Sequence, residues 1–432
     1  MGYRRIELKV KKESIFDEKP VKWNYSHTIL EVIEMLSSYF NEKLLGLKGV
    51  MVKNIKQTAK STEIFIEMKK KPHICPCCGK ETKYVHDYRY QKINDIPAFG
   101  KNTVIILRKR RYRCPNCNKR FYEENTFLPR YHRMTNRLSI YIISKLSDVR
   151  SFTSVAKEVN LSVPTIIHVF DTVEYGIPKL PEVLSIDEFK GNTNRERYQC
   201  IITDPVNHRV LDILPARCKY RLTAYFKQLD RSGTTHFVSD MWSTYADIAN
   251  TYFKNATYVI DKYHYIRQIF WAFEAVRKEE QKKFSKTRRR YFKRSRTLLN
   301  KRYEFLSHEH KQQVDLMLYS SSRLLEAYSL KEQFFKVLDC TDSITARSKL
   351  SHWIMLAQNS GLSRFISCGN TLVHWSKGIL NSFDCSYTNG FTEGINNKIK
   401  VLKRNAYGYR NFYRFRNRIL HMFNHAKVTE AV

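Results

Sequence analysis

The 432-residue chain carries 76 lysines and arginines against 41 aspartates and glutamates, a formal charge of +35. That imbalance points to a polyanionic partner, and the length exceeds what one core organises, so several domains are expected. No apolar run approaches the roughly 18 residues of a membrane span, and the start Met1-Gly2-Tyr3-Arg4-Arg5 lacks the apolar region of a signal peptide. Ten cysteines in this length make no disulfide scaffold, so a reducing cytosol is expected. Hydrophobic content of 42% and aromatic content of 13% fit folded domains rather than a disordered basic tail.

Residues 1–70 predict a small helix-plus-strand unit. His27 to Phe40 carries a helical apolar stripe, and Glu63 to Met68 alternates like a strand. Residues 71–130 hold two C-x2-C knuckles, Cys75/Cys78 and Cys114/Cys117, each followed by a small turn residue. Two knuckles supply the four thiolates of a tetrahedral structural zinc, and the strand-like insert Lys83–Tyr112 makes a zinc ribbon the expected form. Cys77 competes with its neighbours as a ligand, although the spacing favours Cys75 with Cys78; His73 and His86 are alternative ligands.

Residues 131–177 read as helical. Ser151–Val159 and Val163–Phe170 flank the turn Asn160-Leu161-Ser162, the pattern of a helix-turn-helix. Asn160 tolerates the positive φ of the turn, Ser162 caps the second helix, and Pro164 fits its first turn. Thr165 and His168 would then face base edges; the competing reading is a three-helix packing unit.

Residues 181–262 alternate. Strands are expected at Leu184–Phe189, Tyr198–Thr203, Val210–Leu214, Thr235–Ser239 and Thr257–Ile260, with helices at Tyr220–Leu229 and Trp242–Tyr252. The order β-β-β-α-β-α-β is that of a ribonuclease H-like core, in which the first and fourth strands are neighbours. Asp187 and Asp240 close those two strands and would stand side by side. Glu188 faces the opposite side of the sheet and cannot simply substitute.

Residues 265–385 are helix-forming and interrupt the core, which resumes at 386–432. The insertion contains Arg277–Arg302, with 13 lysines or arginines in 26 residues, including Arg288, Arg289, Arg290, Lys293 and Arg294. Phe284, Tyr291 and Phe292 interleave with them, which suits backbone tracking with base stacking; a solvated helix face is the alternative. Glu393 then lies on a helix whose Phe391, Ile395, Ile399 and Leu402 form a docking stripe. Asn397, Lys400 and Arg404 share the Glu393 stripe. The following segment is basic and aromatic, with Lys403, Arg404, Arg410 and Arg414 as candidate DNA contacts.

Asp187, Asp240 and Glu393 together suit a site holding two divalent cations, Mg²⁺ or Mn²⁺, for phosphoryl transfer, with Asp187 bridging both. Asp261 and His264 follow the last strand and are candidate site-edge residues with Asn397 and Lys400; capping and packing roles are equally compatible for Asp261 and His264.

Across nearly its whole length the chain resembles bacterial insertion-sequence transposases of the ISL3 family. The resemblance rests on the double knuckle, the segment near 135–175, and four blocks: Leu184–Phe189, Val238–Trp242, Val259–His264 and Thr388–Lys400, the last being the most specific. It implies a DDE transposase that binds terminal inverted repeats, frees a 3′-hydroxyl at each element end and joins it to target DNA. It also implies Mg²⁺, a helical insertion before the Glu, a homodimer or larger assembly on double-stranded DNA, and a place on the bacterial nucleoid. Competing expectations are a regulator or domesticated protein that reads DNA without chemistry, and a nuclease that cuts without joining.

Overall fold

The computed structural model describes residues 45–125, 127–128, 132–193, 196–292 and 295–424. The expected helix His27–Phe40, together with Lys293 and Arg294, lies outside the described residues. The chain divides into two compact units at Ser139.

The first unit is built from strands β1 (Val50–Gln57), β2 (Ser61–Met68), β3 (His73–Ile74), β4 (Glu81–Thr82), β5 (Val85–Ala98), β6 (Lys101–Arg113) and β7 (Arg120–Tyr122). The main sheet runs β1-β2-β6-β5, with β7 also pairing β6. β2 lies parallel to β6, with Ile64 opposite Ile105. The strands before residue 70 and those of the cysteine-bearing segment therefore share one sheet, and residue 70 marks no break. The reason is a common core: Ile64, Ile66, Ile93, Ile105 and Leu107 are all buried in one cluster, and a lone two-stranded hairpin is marginal in water.

The second unit contains helices and one five-stranded sheet. Helix α1 (Asn136–Lys145) straddles the division between the units, and α2 (Phe152–Val159) and α3 (Val163–Phe170) follow it. Asn160 has φ 52°, and Ser162 accepts a hydrogen bond from the Thr165 amide, so the turn forms as its residues dictate. Next come β8 (Val183–Thr193), β9 (Glu196–Asp204), β10 (Arg209–Leu214), α4 (Lys219–Lys227), β11 (His236–Ser239), α5 (Ser243–Tyr252) and β12 (Thr257–Ile260). The sheet order is β10-β9-β8-β11-β12. The first three strands meander antiparallel, and β11 runs parallel to both β8 and β12. Leu184 and Ile186 of β8 pack in one cluster with residues of α4 and α5.

Between β12 and residue 389 the described residues form helices and no strand: α6 (Lys262–Lys283), α7 (Lys286–Tyr291), α8 (Ser295–Leu299), α9 (His308–Tyr319), α10 (Ser322–Leu338), α11 (Ser343–Asn359), α12 (Ser363–His374) and α13 (Ser376–Asn381). They enclose a core that includes Phe273, Phe334, Trp353 and Phe365. Phe292 is buried in it and packs on Phe284 at 4.7 Å. Of the aromatics expected to stack on bases, Phe292 is thus a core residue and Phe284 packs against that core. Arg277 is likewise internal, bonded to Glu274, Gln281 and Ser295. None of the described helices is long and apolar enough to cross a membrane.

The chain then forms α14 (Gly390–Asn405) and α15 (Phe412–Asn424). The cations of α15 serve the fold. Arg414 binds Asp171 through two hydrogen bonds, at 2.8 and 2.6 Å, and Arg416 binds Asp212. Arg418 is fully buried and donates to the carbonyls of Asp148 and Arg150, both at 2.9 Å. His421 contacts the carbonyl of Ile143 and the hydroxyl of Tyr175, each at 2.7 Å. One helix therefore joins α2 and α3 to the sheet edge at β10.

Both ends of the helical segment sit on β12. Tyr265 of α6 meets Ser382 at 3.1 Å, and Asn381 donates to the Tyr258 carbonyl at 2.8 Å. Gly378 allows this approach, since a Cβ there would lie 2.9 Å from Ile260 Cγ1. Gly378→Val is expected to lower stability by about 1–3 kcal/mol through overpacking. Chemical denaturation followed by far-UV circular dichroism tests this, and an unchanged midpoint would refute the close-packing role.

Candidate functional site

β8 and β11 pair in parallel with Val238 opposite Ser185. Continuing that register brings Asp240, just past the end of β11, level with Asp187. Asp187 does not close its strand as expected but lies inside β8, which continues in register with β9 to Thr193. Side chains alternate along a strand, so Ser185 and Asp187 share the face opposite the Leu184/Ile186 cluster. That face receives α14.

The docking of α14 is polar and specific. Thr392 is buried and bonds Thr203 Oγ1 at 2.8 Å, with Ser185 Oγ at 3.4 Å. Ser185 Oγ also donates to Asn389 Oδ1. The Asn389 amide donates to Asp261 Oδ1 at 2.9 Å, so the Asp261 carboxylate holds the start of α14 rather than capping its own helix. One turn on, Asn396 Nδ2 donates to Asp187 Oδ2 at 3.0 Å. Ile395, Ile399 and Leu402 are buried on the expected stripe, and Phe391 stacks on His208 at 4.9 Å. Glu393 lies in the first turn of α14 and is exposed.

Burial pushes the Asp187 carboxyl up to about 7; the charges of Glu188 and Asp261 add to this, and the Glu188 backbone amide and Arg267 oppose it. Burial likewise pushes Asp240 up to about 7, helped by Glu188 and then Asp187, against Arg217 and Arg267. Asp261 is raised by burial and by Glu393, so Glu393 and Asp261 share a local field. His264 is pressed down to about 4 by burial and by Arg267, which keeps it neutral at neutral pH.

Asp240 Oδ1, Glu188 Oε2 and Asn396 Oδ1 are buried without a hydrogen-bond partner among the described residues. Unpartnered oxygens beside carboxyls held near 7 are the donor set that a hard divalent cation takes. The three expected carboxylates do not close on one point, because among the described residues the four cysteines are the only group of three or more ligand atoms all within 4.8 Å.

Sequence periodicity put Asn397 and Lys400 beside Glu393. They bond each other at 3.0 Å on the exposed side, while the neighbouring Asn396 reaches Asp187. The pair Asn396-Asn397 carried the signal, and i+3 shares a helix face with i as i+4 does. Arg217 was also missed. It pairs with Glu188 and lies between the rings of Tyr198 and Trp242, at 4.5 and 4.6 Å. Glu188 was expected to stand apart from the site, yet its charge acts on Asp240 more strongly than that of Asp187 does.

In the first unit, Cys75 Sγ lies 3.5 Å from Cys117 Sγ, and Cys78 Sγ 3.5 Å from Cys114 Sγ. These separations far exceed the roughly 2.05 Å of a disulfide. The two knuckles fold alike. Gly79 and Asn118, both at positive φ, donate backbone bonds to the carbonyls of Cys75 and Cys114. The Lys80 amide holds the Cys78 thiol down to about 6. Cys77 is exposed, and it stands outside the set with His73 and His86.

Thr165 is half-buried with its hydroxyl on Ser162, and His168 is exposed. Arg288, Arg289 and Arg290 are exposed, though Arg289 also donates to the carbonyls of Gln281 and Lys282. Arg404 and Arg410 are exposed; Lys403 donates to the Lys190 carbonyl, and Arg414 is committed to Asp171.

Residues 184–419 match the family model described as transposase, DDE type of the ISL3 family. Residues 71–117 match the zinc-finger of transposase IS204/IS1001/IS1096/IS1165, and residues 123–173 the helix-turn-helix domain of transposase family ISL3. The transposase for insertion sequence element IS1001 of Bordetella parapertussis is 27% identical over 393 residues, 87% of this chain and 96% of that protein. The transposase for insertion sequence element IS1557 of Mycobacterium tuberculosis is 23% identical over 256 residues, 52% of this chain and 56% of its own length. A shorter stretch of 107 residues is 36% identical to a Lactococcus lactis protein named ATP-dependent protease, covering 25% of this chain and 33% of that one. With more than half of its length matched by the transposase model, and with zinc-finger and DNA-binding helix-turn-helix segments ahead of it, the chain belongs to the ISL3 family of transposases.

Proposed function

We propose that this protein binds the terminal inverted repeats of an insertion sequence, hydrolyses a phosphodiester at each end and joins the freed 3′-hydroxyl to target DNA, using Asp187, Asp240 and Glu393. The observation that carries this reading is the pairing of β8, which bears Asp187, with β11, which leads into Asp240, together with the bond by which Asn396 ties the helix of Glu393 to Asp187. The strand order β10-β9-β8-β11-β12 supports a ribonuclease H-like core over 181–264 and 386–432, with 265–385 as a helical insertion. Residues 71–130 would be the zinc ribbon and 131–177 the end-reading helix-turn-helix, with Thr165 and His168 toward the bases. Two element ends imply at least a dimer on the DNA.

Asp187, Asp240 and Glu393 would hold Mg²⁺ or Mn²⁺. When bound, two such cations polarise the attacking oxygen and stabilise the departing one. The chain's own contribution is placement. Asn396 occupies one oxygen of Asp187, Asp240 keeps Oδ1 unpartnered, and Asp261 fixes the start of the helix that carries Glu393. Neutral His264 adds no charge to this edge.

Asp187→Asn, Asp240→Asn and Glu393→Gln should each abolish metal-dependent cleavage of a labelled duplex carrying the DNA that flanks this gene, while binding in a mobility-shift assay persists. Cleavage retained by any of the three would remove that residue from the site. Strand transfer into a target plasmid separates transposition from cutting alone.

The raised carboxyls set a pH dependence. Between an unfolded value near 4 and about 7, Asp187 and Asp240 bind more protons in the folded metal-free protein than in the unfolded chain. Their contribution to stability therefore falls as pH rises through that window, while depressed His264 contributes with the opposite sign. Mg²⁺ should offset the loss above pH 7, with protons released on binding. Melting curves at pH 5 and pH 8 for the wild-type protein and for the Asp187→Asn/Asp240→Asn double variant, with and without Mg²⁺, test the sign; a metal-free wild type that loses no more stability than the double variant between pH 5 and pH 8 would contradict it.

The four-cysteine set would hold a structural Zn²⁺. Metal analysis should find zinc in the purified protein. Chelation should unfold the first unit, since binding free energy is folding free energy in such modules. Cys78→Ala should lose the metal and Cys77→Ala keep it; the reverse outcome would reassign the ligands.

A further inference from the structure

The acidic edge has a cation that the reading above does not use. Arg267 lies on α6, two turns beyond Asp261 and one beyond His264. Its guanidinium lies 4.5 Å from the ring of Trp271 and 5.3 Å from that of Tyr263. Both rings are about half exposed, at 54% and 51%. Its charge is felt by Asp187, Asp240 and His264 alike.

What sets Arg267 apart is its hydrogen bonding. A guanidinium offers five N–H donors in a planar fork. Among the described residues Arg267 uses one, a long 3.4 Å contact from Nη2 to His264 Nδ1. Its Nε is buried and unpartnered. Arg217, by contrast, is committed to Glu188, and Lys403 to a backbone carbonyl. A half-buried guanidinium that lies against two half-exposed rings and makes one long hydrogen bond retains Nη donors for an acceptor from outside. In a chain of charge +35, a phosphate matches both its charge and its fork geometry.

We propose that Arg267 binds a non-bridging oxygen of a DNA phosphate beside the carboxylate edge and so holds the strand against Asp187 and Asp240. The aromatic pair keeps the guanidinium plane fixed, and His264 keeps one end of it in place. This rests on the phosphodiester reading above. Its test needs no cleavage, so the two fail separately.

The experiment measures binding of the full chain, without Mg²⁺, to a fluorescent duplex carrying the gene's flanking DNA across a salt series. Each phosphate contact contributes about 0.9 to the slope of log affinity against log salt. Arg267→Gln should lower that slope by about this amount, and Arg267→Lys, which keeps the charge, should largely restore it. The same duplex is then made with single neutral methylphosphonates, moved one phosphate at a time. At one position the substitution should weaken the wild-type protein and leave Arg267→Gln unchanged. A general loosening of structure would reproduce neither the slope change nor the single position. An unaltered slope in Arg267→Gln, or equal sensitivity of both proteins at every phosphate, would overturn the proposal.

Discussion

Ser185, Thr203, Asn389 and Thr392 form a buried seam of hydroxyls and an amide between the sheet and α14. The arrangement of the acidic edge depends on that seam. It joins segments about two hundred residues apart in the chain, and it is extended by the Asn389 amide on Asp261 and the Asn396 amide on Asp187. A net hydrogen bond contributes only about 1 kcal/mol, but a buried polar group left without its partner costs about 1–3 kcal/mol. The seam therefore acts more through register than through gross stability. Sliding α14 by one residue would strand several buried groups at once, so the helix has one acceptable seat. Glu393 inherits its position from that seat.

The helical segment between β12 and α14 is compatible with this because it begins and ends at one place. Tyr265 and Ser382 meet, Asn381 reaches the Tyr258 carbonyl, and Gly378 lies against Ile260. The segment has its own core around Trp353 and Phe334, and Trp353 Nε1 donates to the Leu330 carbonyl at 2.7 Å. A self-sufficient core hinged at one strand leaves the sheet order undisturbed. It also delivers α6, with His264 and Arg267, directly from the end of β12 to the acidic edge.

Much of this was legible in the sequence where the signal is local. Strand-like runs before Asp187 and Asp240 marked β8 and β11, although β8 continues past Asp187 to Thr193; Asn160 and Ser162 marked the turn between α2 and α3, and the paired cysteine spacing marked the knuckles. What stayed hidden depends on partners distant in the chain. Nothing near residue 70 says that β2 will pair in parallel with β6. Nothing in Asn396-Asn397 tells which amide turns inward, because both offsets from Glu393 are helical neighbours. The basic, aromatic composition of Arg410–Arg418 suggested DNA, but the acceptors that claim Arg414, Arg416 and Arg418, namely Asp171, Asp212 and the Asp148 and Arg150 carbonyls, lie far upstream.

Charge in this chain thus divides into two populations that composition alone does not separate. Arg277, Arg414, Arg416 and Arg418 are spent on internal acceptors and tie helices together. Arg288, Arg290, Arg404 and Arg410 remain exposed. The first population cannot add to the salt dependence of DNA binding, since counterions are released by cations that reach phosphates. A count of basic residues therefore overstates the DNA contact surface. The arginines of α15 have another consequence: the helix ties the segment 148–175 to β10 through exposed and part-buried polar bonds, so within the second unit the helix-turn-helix and the acidic edge share one framework rather than hanging on a linker.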